Sequence, residues 1–205
     1  MRSMKSGLAD LAELTVLKKI SYVLQLLLYS IFLRPRLCWI PAHLPFLNFA
    51  DSSYHPEFPV GSYDRLLGAM GFQLFQKLNE LTEIRIDNAR YLLRKLTDLQ
   101  VIKHIQHNEF ADPVYLRLPV LISNANIRTA IIERLRKKGI DAAMPYPSAI
   151  VDVPEIKNII INPDEDYEGS RLVAEQLVTL PTHPYVNRND LDEMISIIRD
   201  TVNVT

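Results

Sequence analysis

A helical repeat of apolar side chains dominates the first part of the chain. Over residues 8–33, large aliphatic side chains recur at steps of three and four, which predicts a helix. The members of this stripe are Leu17, Ile20, Leu24, Leu27 and Ile31. Because further apolar residues cover its other sides, the pattern favours a helix that protein surrounds. A membrane span needs about 20 apolar residues, and the run over 22–33 is shorter.

A connector rich in proline and aromatic residues follows over 34–65, and Pro35 is expected to end the first helix. A loop of this length is unusual within a compact domain unless it has a function. We expect it to cover another domain or to reach across a dimer. Residues 66 to about 97 then resume the helical spacing, which predicts one helix of roughly 45 Å that bridges two domains.

The remainder of the chain alternates between strand and helix patterns. The predicted elements are a strand over 114–122, a helix over 127–138, a short strand over 140–144, a helix over 170–176, a strand over 178–180 and a helix over 189–202. Pro119 indicates that the first strand lies at an edge or carries a bulge. Asn126 and Ser170 are candidate helix caps, and Gly139 is a natural C-terminal stop. Together these elements predict an α/β small domain.

Composition excludes several classes of function. The net charge of −1 gives no reason to expect a nucleic-acid partner. A single cysteine, Cys38, excludes an internal disulfide and fits the reducing cytoplasm. No cysteine–histidine spacing resembles a zinc site, so we expect no metal. His104 and His107 are interpreted as exposed loop residues, and His183 as part of a turn between two prolines.

Three stretches of the sequence together resemble one known family. They are Gly68–Leu78 followed by Arg85, Asn88 and Ala89; Arg134–Ile140 followed by Pro145, Tyr146 and Pro147; and Leu180–Pro184 followed by Asn189, Asp190 and Leu191. In this order and spacing they are similar to the long helix and small domain of the DegT/DnrJ/StrS pyridoxal-phosphate aminotransferases. The resemblance implies a fold type I C-terminal small domain over 111–205. It also implies a bridging helix and loop over 66–110, and a remnant of the large domain with its connector over 1–65.

The family attaches its cofactor to a lysine in a Ser-x-x-x-x-Lys motif, and no lysine of this sequence has serine five positions before it. Without that lysine no internal Schiff base forms, so we do not expect pyridoxal phosphate to bind this chain alone. Members contact the neighbouring subunit's cofactor phosphate through Asn-Tyr-Arg, where this chain has Val60, Gly61 and Ser62. Ser62 is therefore the one residue of the three that could hydrogen-bond the phosphate. Tyr146 falls where members line the substrate cleft, although packing on the small domain explains it equally well.

Three readings follow from the sequence. The first is the C-terminal half of a sugar-type aminotransferase, which transfers an amino group from glutamate and is inactive alone. It would act on a small-molecule substrate in the cytoplasm, as a homo-oligomer or with a separate chain that carries the large domain. The second is a non-enzymatic binding or dimerisation module derived from that fold. The third is a membrane-associated protein that uses residues 22–33, although the length of that run argues against a membrane partner.

We predict that the isolated chain forms no stable aldimine with pyridoxal phosphate, because none of its lysines has the family's serine context. The measurement is a visible absorption spectrum of the purified protein mixed with the cofactor. A stoichiometric aldimine band that disappears when one lysine is replaced by alanine would contradict the prediction.

Overall fold

The computed structural model describes residues 15–32, 37, 65–162 and 165–204. Its helices are α1 (Val16–Phe32), α2 (Arg65–Phe75), α3 (Leu78–Leu96), α4 (Ala125–Lys137), α5 (Glu168–Gln176) and α6 (Arg188–Val204). Its strands are β1 (Ile102–His104), β2 (Arg117–Ile122) and β3 (Leu177–Pro181). Short 3₁₀ turns at Ile150–Asp152 and Pro154–Ile159 lie between α4 and α5.

The three strands form one antiparallel sheet in the order β1–β2–β3. Side chains of β2 alternate between buried and half-buried, as the period of a strand with one covered face requires. Its buried members, Leu118, Val120 and Ile122, join the apolar stripes of α3, α4 and α6 in a continuous core. The predicted α/β small domain is confirmed, and its core lies between this face of the sheet and the three helices.

The prediction that Pro119 marks an edge strand or a bulge is wrong, because β2 is the central strand and pairs with β3 in continuous register, but the local pairing explains why proline is tolerated there. Its partner on β3 is Thr179, whose backbone N–H and C=O bond to Ala143 on the far side of β3. The Pro119–Thr179 pair is therefore a non-hydrogen-bonded pair, and the Pro119 nitrogen points away from β3. On that other side β1 has already ended at His104, which pairs with Val120. The missing N–H thus falls where no ladder bond is needed.

Local sequence fixes both ends of α4. The Asn124 side-chain oxygen accepts hydrogen bonds from the backbone N–H groups of Asn126 and Ile127, at 2.9 and 3.1 Å. The cap is therefore Asn124 and not the predicted Asn126. At the other end Gly139 has a φ of 76°, and its N–H donates to Arg136, while the next N–H donates to Leu135. This pair of bonds is a Schellman motif, which confirms Gly139 as the C-terminal stop.

Two other predictions about the small domain are corrected. Residues 140–144 form no strand, because Ala143 alone makes a bridge to Thr179. Ser170 lies inside α5, which begins at Glu168 without a side-chain cap. The last helix is confirmed with slightly wider bounds than predicted.

The predicted single long helix is wrong, because it is broken between α2 and α3. At the break the Lys77 N–H donates to Leu74 three residues back, which tightens the turn and ends the regular i to i−4 pattern. The apolar stripe of α3 is buried, whereas α2 has no buried residue. Two glycines, Gly68 and Gly71, further weaken α2 as a helix. The stripes of α2 and α3 therefore do not cover one common surface.

The described residues contain the part Val16–Phe32 of the predicted first helix, and no described protein surrounds it; residues 8–14 of the prediction lie outside the described residues. None of the described side chains of α1 is buried. Neither α1 nor α2 contributes a residue to the core. Among the described helices, none is both long and apolar enough to cross a membrane. The predicted connector lies almost wholly outside the described residues.

We predict that Leu92→Ala lowers the free energy of unfolding by about 2–5 kcal/mol, because it leaves a cavity in the core. Leu92 on α3 is fully buried, whereas Leu116, the matched control for the same substitution, is 70% exposed. Urea unfolding followed by circular dichroism measures both variants. The core assignment fails if Leu92→Ala and Leu116→Ala cost the same.

Candidate functional site

The family-like segments meet where the middle of α3 reaches the turn after β3. The Asn88 side-chain amide donates to the backbone oxygens of Thr182 and Val186, at 3.1 and 3.5 Å. Thr182 is fully buried, and its hydroxyl donates to the backbone oxygen of Tyr115 at 2.6 Å. These bonds fasten the turn to the helix on one side and to the entry of β2 on the other. We call this meeting point, defined by Asn88, Arg117, Asp141, Thr182 and His183, the α3–β3 junction.

A second set of bonds ties the chain after α4 to the sheet. The Arg117 guanidinium donates to the Thr179 hydroxyl at 2.8 Å and to the Asp141 carboxylate at 3.0 Å. It also contacts the backbone oxygens of both residues. A planar guanidinium can satisfy several acceptors at once because its five N–H groups point in fixed directions. Arg117 therefore holds the segment that follows Gly139 beside β3.

His183 lies half-buried in the same junction. Burial lowers the pKa of its imidazole below the ordinary value, and the positive charge of Arg117 lowers it further. Its Nδ1 atom is buried and has no hydrogen-bond partner among the described residues. Its ring makes an edge contact with Tyr185, with 6.0 Å between centroids. The imidazole is therefore neutral near pH 7 and adds no charge to the junction. Its Nδ1 atom is left without a hydrogen bond among the described residues.

The N-terminus of α6 completes the junction through a reciprocal cap. The Asn187 side chain accepts from the backbone N–H groups of Asn189 and Asp190, at 2.8 and 3.2 Å. The buried Asp190 carboxylate accepts from the Asn187 N–H at 2.9 Å. This is a capping box with aspartate in the third position. It fixes where the chain leaves the Leu180–Pro184 turn and enters α6.

The two site residues predicted from the family resemblance are not joined to this junction by any described contact. Tyr146 lies in the loop after Ala143 and is 55% exposed, so it is accessible and not packed into the core. Ser62 lies outside the described residues. The roles of both in binding substrate or phosphate stay predictions.

The histidine interpretations are partly wrong. His107 is exposed as expected, but His104 is the last residue of β1 and both its ring nitrogens are buried without a described partner. His104 follows Ile102 by two positions, so it belongs to the covered face of the sheet. Only Ile102 shares that face within β1, so no alternation of apolar residues in the sequence marked this short strand. Within the described part, no group of three or more histidine, cysteine, aspartate or glutamate side chains is placed to hold a metal ion.

The described residues do not fit pyridoxal phosphate as an attached cofactor. A lysine that forms a Schiff base is normally desolvated in a closed site. Of the lysines whose side chains are described, Lys19 is half-exposed on α1 and all others are exposed. No part of the reaction is therefore assigned to a lysine of this segment.

A family model for the DegT/DnrJ/EryC1/StrS aminotransferases matches residues 63–199, which is more than half of the chain. The chain belongs to this family. The comparison with curated proteins gives no match.

Solved structures resemble the chain at low sequence identity. DesV from S. venezuelae, crystallised with a ketimine intermediate, is 19% identical with a TM-score of 0.62, and the match covers 77% of this chain and 42% of DesV. A DegT/DnrJ/EryC1/StrS aminotransferase from Brucella abortus is 20% identical, with a TM-score of 0.59 and coverages of 73% and 39%. The sugar aminotransferase CalS13 from Micromonospora echinospora is 17% identical, with a TM-score of 0.55 and coverages of 70% and 38%. This family member therefore spans about two fifths of the length of these proteins.

Sequence reasoning missed Arg117 and Asp141 in the junction of this family member. They lie 24 residues apart, and no local pattern pairs them. Arg117 could have been noticed as a cation at the start of an apolar strand, where its long side chain must find acceptors if half-buried. Its partners depend on the path of the chain after Gly139 and are visible only in the folded structure.

We predict that the aminotransferase-family domain loses stability as the pH falls through about 6.5, and that His183→Gln reduces this loss. The folded-state pKa of His183 is lowered, so the unfolded chain binds the proton first and acidification favours unfolding. Urea unfolding at about pH 5.5 and about pH 7.5 measures the difference in both proteins. The exposed residue His107 supplies the control, His107→Gln, which should keep the wild-type pH dependence. An unchanged pH dependence in His183→Gln would refute the assignment.

Proposed function

We propose that this chain supplies the small domain of a pyridoxal-phosphate-dependent sugar aminotransferase and works with a large domain that carries the cofactor lysine. The observation that supports this proposal is that the residues matched by the family model contain the whole described core. Every residue of the core, from Ala89 to Ile198, lies within the matched residues 63–199. The part that resembles the family is therefore a folded unit with its own core, which is what a separable domain requires.

The proposed division of roles follows from what the described residues offer. The small domain holds Tyr146 on its surface, where an exposed phenol can hydrogen-bond a polar substrate. The cofactor lysine and the acid that pairs with the pyridinium nitrogen are assigned to the large domain. When bound there, the cofactor supplies the electron sink for transamination. We further propose glutamate as the amino donor, a keto or aldehyde sugar linked to a nucleotide as the acceptor, and the cytoplasm as the compartment.

The junction would act as a positioning device in such an enzyme. It connects α3 to the turn after β3 through Asn88 and connects β2 to the chain after α4 through Arg117. Because hydrogen bonds are directional, those of Arg117 fix the chain at Asp141, five residues before Tyr146. A substrate-facing side chain on a loop needs this kind of support.

The alternative is a non-enzymatic binding or dimerisation module. Two observations favour it: the described lysines do not suit a Schiff base, and Val60, Gly61 and Ser62 depart from the family's phosphate-binding triplet. A packed small domain would fold equally well in this role. The two proposals differ in whether a large domain restores transamination.

We predict that co-expression with an adjacent polypeptide that carries a Ser-x-x-x-x-Lys large domain yields a complex with glutamate-dependent transaminase activity. Cofactor affinity in the complex should be poor, because Ser62 alone of the three triplet residues can contact the phosphate. The triple substitution Val60→Asn, Gly61→Tyr and Ser62→Arg should tighten it by tenfold or more, since each charge-assisted bond contributes about 1.5–3 kcal/mol. The measurements are an amino-transfer assay and a cofactor titration.

The same experiment separates the two proposals. A matched control is the large-domain lysine replaced by alanine, which should abolish activity without affecting co-purification. If the wild-type complex co-purifies without activity and the triple substitution restores none, the non-enzymatic module is the better account. If the chains do not associate at all, the proposed division into two polypeptides is wrong.

A further inference from the structure

Helix α1 has one continuous apolar face that nothing in the described chain covers. At about 100° per residue, eight aliphatic side chains fall on an arc of about 140° without a polar residue between them. They are Val16, Leu17, Ile20, Val23, Leu24, Leu27, Leu28 and Ile31, and each is between 41% and 80% exposed. The sequence pattern predicted a helix that is apolar nearly all round; the aliphatic side chains are concentrated on this face, although Leu26 and Phe32 lie outside it. A helix whose aliphatic side chains are concentrated on one face can lie at a boundary between an apolar and a polar phase.

The opposite face of α1 is mixed, because it carries Tyr22, Leu26 and Phe32 beside three polar side chains, and its charge is only positive. Lys18, Ser21 and Gln25 share this face, and the Gln25 amide donates to the Ser21 hydroxyl at 3.2 Å within the helix. The helix contains no aspartate or glutamate. Lys18 and its neighbour Lys19 lie in the first turn, where the helix dipole disfavours cations. The two lysines therefore do not stabilise α1 itself, and their charge is available to an external anionic group.

The family model does not extend to this helix. The matched residues begin at position 63, beyond the end of α1, and the core of the matched body contains no residue of α1. A second copy of α1 would cover the apolar face, but it offers no carboxylate to the two lysines. With 17 residues, α1 is about 25 Å long, which is too short for a bilayer core of about 30 Å. That length argues against a helix that crosses the membrane. It allows a helix that lies in the plane of the membrane surface.

We propose that α1 is an interfacial helix that binds this chain to the surface of an anionic lipid bilayer. Its apolar face lies at the boundary of the acyl chains, and Lys18 and Lys19 lie at the level of the lipid phosphates. Both features are needed, because apolar area and attraction to anionic lipids together determine how strongly such helices bind. The surface that fits both features is the negatively charged cytoplasmic leaflet.

The test is flotation of the full-length chain with vesicles, which separates bound protein from aggregates. Vesicles of mixed phosphatidylglycerol and phosphatidylcholine should carry the protein to the top of the gradient, and phosphatidylcholine vesicles should carry far less. Added salt should weaken binding, since it screens the lysine charges. Each of Lys18→Gln and Lys19→Gln should reduce the partition constant about fivefold, as expected for one cation near an anionic surface.

Matched variants distinguish the face of α1 from general surface changes. Leu24→Ser with Leu27→Ser should reduce partitioning by about tenfold or more, because both side chains lie in the middle of the apolar face. The apolar control is Ile159→Ser with Ile161→Ser, which removes two exposed side chains elsewhere. The charge control is Lys137→Gln with Lys138→Gln on α4. Both control pairs should bind vesicles as the wild type does.

Three outcomes would overturn the proposal. The first is equal binding to anionic and neutral vesicles that the lysine variants do not change. The second is an equal loss of binding in the control pairs. The third is no vesicle binding together with a dimer in light scattering that disappears in the Leu24→Ser, Leu27→Ser variant, which would assign the face to a second copy.

Discussion

The fold depends on the burial of the α3 stripe between the sheet and α6. Ala89, Leu92 and Leu96 are all fully buried, although β2 supplies only every second side chain to the same space. The three strands could not form a stable unit alone, because a small sheet with one apolar face needs a covering layer. Once α3 is in place, Asn88 reaches the turn after β3, and Asp98, two residues beyond the end of α3, reaches the last helix. The junction is thus a consequence of core packing.

Elements that local physics determines were predictable from the sequence. The ends of α4 depend on an asparagine and a glycine within a few residues of the helix, and the prediction missed the cap by only two positions. The break after α2 was not predictable from spacing, since the apolar repeat continues across it. A helical repeat indicates which side chains share a face of a helix. It does not indicate whether a single core covers the whole length of that face. In this chain the core covers α3 and leaves α2 without a buried residue.

The candidate site was predictable only where a motif named it. The motifs singled out Asn88, Tyr146 and the turn at His183, but they gave no partners for them. The bonds of Arg117 join residues that are far apart in sequence, and they exist because the chain after Gly139 runs beside β3. The neutral state of His183 likewise depends on burial, which a sequence pattern does not contain. Tertiary contacts therefore decided the chemistry of the junction, as they usually do for polar groups near a core.

The packed body and the first helix obey different physical constraints. In the body, several buried polar groups meet directional partners, such as the Thr182 hydroxyl, which donates to the backbone oxygen of Tyr115 at 2.6 Å. In α1 the apolar side chains have no partner among the described residues, and the charge on its first turn opposes its own dipole. Substitutions on α1 should therefore change what the chain associates with while leaving the unfolding of the body unaltered. For α3, the same type of substitution should instead destabilise the body, because it removes buried side chains from the core. In the proposed arrangement stability and association are carried by separate helices, because the core contains residues of α3 and none of α1.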